Sequence, residues 1–292
     1  MADVKPESKP DAKAKAKSGG GRPDLVSIGG LVVAIGGILT GLMLEGGKIT
    51  DVAQFTAALI VLGGTLGAVM ITTPMTVLLG AAKQVAGVFF EKTHSTEAVI
   101  EEIIGYATQA RKQGIVSLEQ QASKIQDPFL RKALNLAIDG IEMSQLRSIM
   151  ELEITLMEQR REAEAKVFEA AGGYSPTIGI IGAVLGLIQV MKNLANIDEV
   201  GHGIAVAFVA TVYGVAAANI VFLPAANKLK ARIRDEVHIR ELALEGVLSV
   251  VEGLNPKLIR SKLEAYGPAQ PEGAKKAKAK GEPAGKPVSA EG

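Results

Sequence analysis

Four stretches of this sequence contain no Asp, Glu, Lys or Arg, and each is long enough to cross the hydrocarbon core of a bilayer as a helix. A helix that does so needs about 20 predominantly apolar residues. A soluble protein would instead spread its apolar residues along the chain at helical or strand period. We therefore predict four transmembrane helices, at residues 25–44, 52–82, 170–191 and 200–227.

The connections between these windows pair the helices. Residues 45–51 join the first two windows and residues 192–199 join the last two. Such short connections make antiparallel neighbours, so we expect two hairpins. Pro74 lies inside the second window, where a proline breaks the helical hydrogen-bond ladder. We expect it to mark the membrane exit or a kink, followed by an amphipathic piece towards Phe90.

Lys and Arg fall almost entirely on one side of the predicted spans. Six precede residue 25, eleven lie in 83–169 and thirteen follow residue 227, whereas each short connection has one. In membrane proteins the cytoplasmic loops carry the excess of Lys and Arg. The pattern therefore predicts a multi-pass protein of the cytoplasmic membrane, with both termini in the cytoplasm.

The rest of the chain predicts helices and tails. Residues 83–169 have apolar residues at helical spacing, and Asp127-Pro128 is a typical helix start. We interpret this loop as a cytoplasmic helical domain, and residues 228–266 as a cytoplasmic amphipathic helix. There is no strand signal, so the predicted fold class is all-α. Two segments rich in Lys, Pro and Gly are predicted to be disordered tails: 1–22 and 267–292.

Asp, Glu, Lys and Arg are missing from all four predicted spans. A charge at the bilayer centre costs about 2.5–3.5 kcal/mol on insertion scales and is kept where it functions. A self-sufficient proton or sodium carrier normally has such an acid, so any ion that crosses here needs an acid from another chain. The sequence has no cysteine, no phosphate-binding GxxxxGK[ST] loop and no metal-ligand spacing. We therefore expect no enzyme, no metal site and no cofactor, and a net charge of +1 does not suggest a nucleic-acid partner.

Small residues recur at helix-packing spacing in the predicted spans. GxxxG pairs allow helix backbones to approach closely within a bilayer. They are common in membrane helices, so we favour tight packing or oligomerisation over a direct functional role. The residues of these pairs are Gly37, Gly41, Gly63, Gly67, Gly182 and Gly186.

Three motifs connect this chain to a known family. They are LIVLGGTLGAVMITTP in the second window, YSPTIGIIGAVLGLIQVM in the third, and GIAVAFVATVYGVAAANIVFLPAANKLK in and after the fourth. Together they resemble the MotA/PomA flagellar stator subunits of the wider MotA/TolQ/ExbB proton channel family, over roughly residues 24–252. TolQ and ExbB proteins resemble the chain only in the last two spans and have three spans, so they are the weaker match.

The resemblance implies a subunit that converts ion-motive force into torque. About five copies would surround two copies of a MotB-like partner with one membrane span and a peptidoglycan-binding domain. The partner's membrane aspartate would carry the ion, which agrees with the absence of acids in the spans. The cytoplasmic loop would push on a FliG-like rotor protein.

The resemblance also implies residues of the ion pathway. Pro176 and Pro224 match two prolines that flank the channel, and Thr211 matches a threonine that faces the partner's aspartate. Ala183 matches a position where sodium-driven relatives usually have Thr. A methyl group cannot coordinate sodium, so the expected ion is H⁺, with Na⁺ as the alternative.

The predicted rotor contact lies in the segment QARKQGIVSLEQQ. Arg111, Lys112 and Glu119 match charged rotor-contact positions of the family, whereas Gln120 and Gln121 depart from the acidic cluster of some relatives. Without the resemblance, these charges would be interpreted as a solvated helix face.

Two other functions remain open at this point. One is a related ion-driven motor with another output, such as gliding or outer-membrane energisation as in ExbB and TolQ proteins. The other is a passive membrane scaffold without transport. The related motor shares the membrane chemistry and differs only in what its loop and tails contact. The predicted spans therefore do not distinguish these functions from a flagellar stator.

Overall fold

The computed structural model describes residues 22–91 and 95–266, and it confirms the all-α fold class. The predicted tail 267–292 and residues 1–21 of the predicted N-terminal tail lie outside the described residues. Two-residue strands β1 (Arg22–Pro23) and β2 (Phe90–Glu91) pair antiparallel, which the sequence did not indicate. The helices are α1 Leu25–Leu44, α2 Ile49–Val52, α3 Phe55–Thr72, α4 Met75–Phe89, α5 Thr96–Gln113, a 3₁₀ turn Ile115–Leu118, α6 Glu119–Ala122, α7 Pro128–Ile138, α8 Met143–Lys192, α9 Ile197–Ala216, a π-helical segment Ala217–Phe222, α10 Leu223–Val251 and α11 Pro256–Tyr266.

Within the described part of the chain, four helices are long and apolar enough to cross a membrane. They are α1, α3, α8 and the continuous helix Ile197–Val251 that α9, the π-helical segment and α10 form together. With 50 and 55 residues, the last two are about 75 and 83 Å long at 1.5 Å per residue. Each therefore extends well beyond an apolar core of about 30 Å. The parts of these two long helices that lie outside the apolar spans form, with α5–α7 and α11, what we call the polar domain. We call the opposite end of the spans, where the short connections lie, the hairpin end.

The second predicted window is not one helix. Helix α3 ends at Thr72, and Thr73 is extended, with φ −128° and ψ 130°. Pro74 is the reason, because a proline disfavours helical geometry in the residue before it and cannot donate its own hydrogen bond. The chain resumes as the separate helix α4, so the continuation towards Phe90 exists but begins after a break.

The predicted single helix 228–266 is also wrong, because the chain turns between α10 and α11. Gly253 has φ +69°, a left-handed conformation that favours glycine. The amide of Leu254 donates to the carbonyl of Ser249, and that of Gly253 donates to Val250, which is a glycine-based helix C-cap. Pro256 then opens α11 and suits a first helical position.

The polar domain has a hydrophobic core of its own. The side chains of α5, α7, α8, α10 and α11 contribute to one cluster. Gly246 is part of this packing, because a Cβ atom there would lie 2.5 Å from Cδ1 of Ile103. The largest fully buried side chains of this core include Ile103, Phe129, Leu134, Leu146, Met150, Leu248 and Ile259.

An ion pair ties the start of α1 to α10. Asp24 caps α1 by accepting from the amide of Ser27, and its carboxylate lies 2.5 Å from Nζ of Lys228 and 3.5 Å from a guanidinium nitrogen of Arg232. Hydrogen bonds from Lys228 and Ser27 hold the pKa of Asp24 well below its ordinary value, against the opposing effect of burial. Helix α1 buries none of its residues, so this pair and the adjacent β1–β2 pairing hold its N-terminal end.

Candidate functional site

Helices α8 and α9 contact each other backbone to backbone. A Cβ atom at Gly179 would lie 2.9 Å from the carbonyl oxygen of Ala210, and one at Gly186 would lie 2.8 Å from the amide nitrogen of Ala207. We call this contact the seam. It is lined on both helices by buried small residues and one valine: Ser175, Gly179, Gly182, Gly186 and Val190 on α8, and Gly203, Ala207, Ala210 and Gly214 on α9.

The predicted packing glycines fall into two groups. Gly182 and Gly186 lie in the seam. A Cβ atom at Gly37, Gly41, Gly63 or Gly67 would meet no atom of residues 22–91 and 95–266 within 4 Å, so none of the described residues packs on these positions. Their packing role stays a prediction that involves another chain.

Sequence reasoning missed several seam residues. Gly179 and Gly214 face each other across the seam. On α3, the packed glycine is Gly64 and not Gly63, because an added Cβ atom at Gly64 would lie 2.7 Å from Ile178 of α8. The sequence pattern that indicates the seam residues is the full run of small residues at spacings of three and four on both α8 and α9. A search for isolated GxxxG pairs overlooks this run.

Helix α3 covers one side of the α8–α9 pair. Its residues Ala57 and Val61 pack on Val209 and Ala210. At the hairpin end, the hydroxyl of Tyr213 donates to the carbonyl of Val52 at 2.5 Å and accepts from the amide of Gln54 at 3.3 Å. This side is therefore occupied within a single copy.

The other side, which we call the open face, carries three of the predicted pathway residues. Pro176 and Ala183 each follow a seam residue of α8 by one position, and Thr211 follows a seam residue of α9 in the same way. Because the two helices are antiparallel, a one-residue step of about 100° in either helix turns towards the same side. All three residues are partly exposed there.

Exposed apolar side chains surround these three residues. They occupy positions that share the open face by helical spacing. Such a face needs a further partner to cover it. The residues are Ile180, Leu187, Phe208 and Val215.

Thr211 is the polar group at the centre of the open face. Its Cα lies 3.4 Å from the position of a Cβ on Gly179, so it stands directly over the seam. Its hydroxyl donates to the carbonyl of Ala207 at 3.2 Å. The oxygen lone pairs remain available as acceptors, which suits a protonated carboxyl group of another chain.

Near Pro176, the side chain of Ser175 holds helix α8 in the seam. Pro176 has no amide hydrogen, so the usual bond to the carbonyl of Gly172 is absent. The buried hydroxyl of Ser175 donates to the carbonyl of Gly214 at 2.9 Å and so joins the two helices at this level.

Pro224 is placed apart from the other three predicted pathway residues. It is exposed, and its neighbour Leu223 contacts Gly172, about one helical turn from Pro176. Leu223 alone separates it from the π-helical segment. At the end of that segment the amide of Leu223 donates to the carbonyl of Ala218, five residues back. A proline ring clashes with the carbonyl four residues earlier in an α-helix, and the wider turn relieves that clash.

The predicted rotor-contact residues lie on either side of one turn at the surface of the polar domain, which we call the corner. Arg111 and Lys112 lie in the last turn of α5, and Glu119 is the first residue of α6; all three are exposed. Gly114, with φ +80°, makes the turn between them. Gln109 donates to the carbonyl of Ser117 at 2.9 Å and accepts from the amide of Gln121 at 2.5 Å. Gln121, which departs from the family's acidic cluster, therefore has a structural contact here.

No cluster of His, Cys, Asp or Glu in residues 22–91 and 95–266 could hold a metal ion. The open face thus offers a hydroxyl, a proline and apolar walls, but no acid within 170–191 or 200–227. Such a surface can receive a partner's carboxyl group and cannot by itself relay a proton.

Comparison with known proteins covers nearly the whole described chain. Residues 121–242 match the MotA/TolQ/ExbB proton channel family, and residues 28–113 match the N-terminal region of motility protein A. Motility protein A of Bacillus subtilis is 38% identical over 248 residues, which is 85% of this chain and 92% of that protein.

Two solved structures have the same fold. The flagellar MotAB stator complex from Bacillus subtilis contains a chain that is 37% identical, with a TM-score of 0.80, covering 89% of this chain and 100% of that one. In the structure of C. jejuni MotAB the identity is 31% and the TM-score 0.81, over 85% of this chain and 98% of that one. This chain therefore belongs to the MotA/TolQ/ExbB proton channel family, among its motility protein A members.

Proposed function

We propose that this chain is the ion-channel subunit of a flagellar stator, which converts ion-motive force into torque on the rotor. The observation that carries the proposal is the open face, where Thr211 presents a hydroxyl in spans that contain no acid. The similar chains in solved MotAB complexes support the same function. These relatives are motility proteins, so a gliding or ExbB-like output is not favoured.

The partner in this proposal is a MotB-like, single-span, peptidoglycan-binding subunit whose membrane aspartate binds the ion. Five copies of this chain surround two copies of the partner. The exposed apolar residues of the open face support an assembly of this kind, because burying them needs neighbouring chains. The lipid bilayer covers the remaining apolar surface.

The proposed ion is H⁺. Ala183 offers only a methyl group to the open face, whereas sodium needs oxygen ligands. A proton needs an acid and a hydrogen-bonded path, both of which the partner's aspartate and Thr211 supply. Na⁺ remains the alternative that experiment must exclude.

The proposed cellular location is the inner membrane, with the polar domain and both termini in the cytoplasm. The excess of Lys and Arg at the polar-domain end supports this orientation. The corner formed by Arg111, Lys112 and Glu119 then faces a FliG-like rotor protein. Arg and carboxylate groups exposed on one corner are suited to steering by charge.

The test is to express this chain and its partner in cells that lack other stators. We expect swimming that a protonophore abolishes and a sodium-channel blocker leaves unchanged. Asn in place of the partner's membrane Asp should abolish swimming, although the complex still assembles. Normal swimming with that change, or no proton flux through the reconstituted complex, would contradict the proposal.

A further inference from the structure

The open face continues beyond Pro176 towards the polar domain. Gly173 and Glu169 precede Pro176 by three and seven residues, which is the spacing of side chains on one side of a helix. Residues 170–191 contain no acid, so Glu169 is the first carboxylate that this side of α8 presents. At 1.5 Å per residue it lies about 10 Å along the helix from Pro176.

Glu169 forms an ion pair across the two long helices. Its Oε1 lies 2.5 Å from Nζ of Lys230 on α10, and the two side chains are 36% and 31% exposed. The carboxylate is therefore both paired and accessible to water. A carboxylate in this position can accept a proton and lose it again to solvent.

The other long helix bears a polar group between Thr211 and this ion pair. Asn219 follows Thr211 by two steps of four residues, with Val215 between them, so it lies on the same side of the helix. Its Nδ2 donates to the carbonyl of Val215 at 2.9 Å, which leaves its Oδ1 as an acceptor. From Thr211 to Glu169 the open face thus changes from apolar to polar.

We propose that Glu169 is the proton-release group of the channel. In this step an O–H bond of a hydrated proton, delivered from the partner's acid near Thr211, breaks, and an O–H bond forms at the Glu169 carboxylate. The proton then passes to water at the polar-domain end, and the ion pair with Lys230 forms again. About three water molecules would bridge the 10 Å between Pro176 and Glu169. The inference rests on the proposed channel function.

The first test measures proton flux through the complete complex, this chain with its partner, in liposomes under an imposed proton gradient. We expect Glu169→Gln to lower the flux by about ten-fold or more, as for other proton-transfer groups, and Glu169→Asp to recover most of it. Asp235→Asn, which removes an exposed carboxylate on α10, is the matched control and should conduct normally. If the unchanged complex carries no flux, the proposed function fails; if it conducts and Glu169→Gln conducts equally, only the present inference fails.

The second test separates the acid from the ion pair. Lys230→Gln removes the pair but keeps the carboxylate, so we expect a loss of less than about three-fold, smaller than for a missing acid. Equal losses in Lys230→Gln and Glu169→Gln would indicate a purely structural pair and would overturn the proposal.

A mobile buffer gives a readout that a structural role would not move. With the membrane-impermeant buffer MES on both sides of the liposome membrane at increasing concentration, the flux ratio of Glu169→Gln to the unchanged complex should rise towards one. The buffer replaces the missing proton acceptor, and its capacity cancels in the ratio. A ratio that stays constant over the whole concentration range would contradict a role in proton release.

Discussion

The Thr211 hydroxyl is the polar group at the centre of the open face. Replacing Thr211 by Val keeps the volume and branching but removes the acceptor that a partner's carboxyl group would use. We expect Thr211→Val to lower proton flux by about ten-fold or more, because an unpaired polar group in a low-dielectric site costs about 1–3 kcal/mol. The measurement is flux in liposomes with the partner present. Thr211→Ser, which keeps the hydroxyl, is the control, and an equal loss in both would refute the hydrogen-bonding role.

A second prediction at the residue scale concerns the seam. A Cβ atom at Gly179 would lie 2.9 Å from a backbone oxygen, so Gly179→Ala must push the two helices apart. Overpacking of this kind costs about 1–3 kcal/mol, and we expect a lower melting temperature of the detergent-solubilised complex. Gly173→Ala on the same helix meets nothing within 4 Å and should leave the melting temperature unchanged or slightly higher. Equal stability of both variants would show that the seam can open without cost.

Individual residues were predictable from the sequence to different extents. Thr211, Pro176 and Ala183 were found through the family resemblance, and helical geometry then accounts for their common side. Gly179 and Gly214 were missed because they are 35 positions apart in the chain. Their contact depends on the register between two helices, which no local pattern specifies.

At the scale of elements, the π-helical segment depends on Pro224. We expect Pro224→Ala to let this segment become α-helical, because the new residue has an amide hydrogen and no ring. That change would rotate α10 relative to α9 by about one residue, or 100°. Swimming should be lost while the amount of protein in the membrane stays normal, and Pro176→Ala should behave similarly. Motility assays measure swimming, and immunoblots of the membrane fraction measure the amount of protein. Normal swimming with either variant would exclude a gating role for that proline.

The helices themselves were largely predictable, because apolar windows and caps are local signals. Asp127 caps α7 by accepting from the amides of Phe129 and Leu130, as the Asp-Pro pair indicated. The break at Thr73 was anticipated only as an exit or kink, and the turn at Gly253 was missed. Both depend on a single residue within an otherwise continuous apolar or amphipathic pattern.

At the scale of the whole molecule, one charged cluster joins three helices of the polar domain. Glu245 on α10 lies 3.1 Å from Arg147 on α8 and also pairs with Lys262 on α11, and its side chain is 12% exposed. Burial alone would raise the pKa of Glu245, but hydrogen bonds from Lys262 and Arg147 outweigh it, so the pKa is lower than the ordinary 4.5.

This lowered pKa predicts how stability depends on pH. A carboxyl group whose pKa is lower in the folded state stabilises the fold above its unfolded pKa, and this stabilisation is lost as the pH falls through the folded pKa. We expect the melting temperature to decrease below about pH 4.5, and less so in Glu245→Gln, which loses about 1.5–3 kcal/mol at neutral pH. The exposed Glu241→Gln is the control. Identical pH profiles of Glu245→Gln and the unchanged protein would exclude this cluster as a source of the acid sensitivity.

In the proposed function, ion conduction and force transmission belong to different parts of the molecule. The open face lies among the apolar halves of α8 and α9, whereas Arg111 lies on an exposed corner of the polar domain, in the last turn of α5. Reversing its charge with Arg111→Glu should weaken rotor coupling, because like charges replace opposite ones at the proposed contact. The spans are unchanged, so proton flux should stay the same.

The measurement compares torque at high load in tethered cells with flux in liposomes. Arg131→Glu, on the exposed surface of α7 in the same domain, controls for a general effect of charge reversal. We expect a torque loss in Arg111→Glu only, partly recovered by a compensating Asp→Lys or Glu→Lys change on the rotor protein. A loss of flux that accompanies the loss of torque would instead place Arg111 within the channel machinery, and unchanged torque would remove it from the rotor contact.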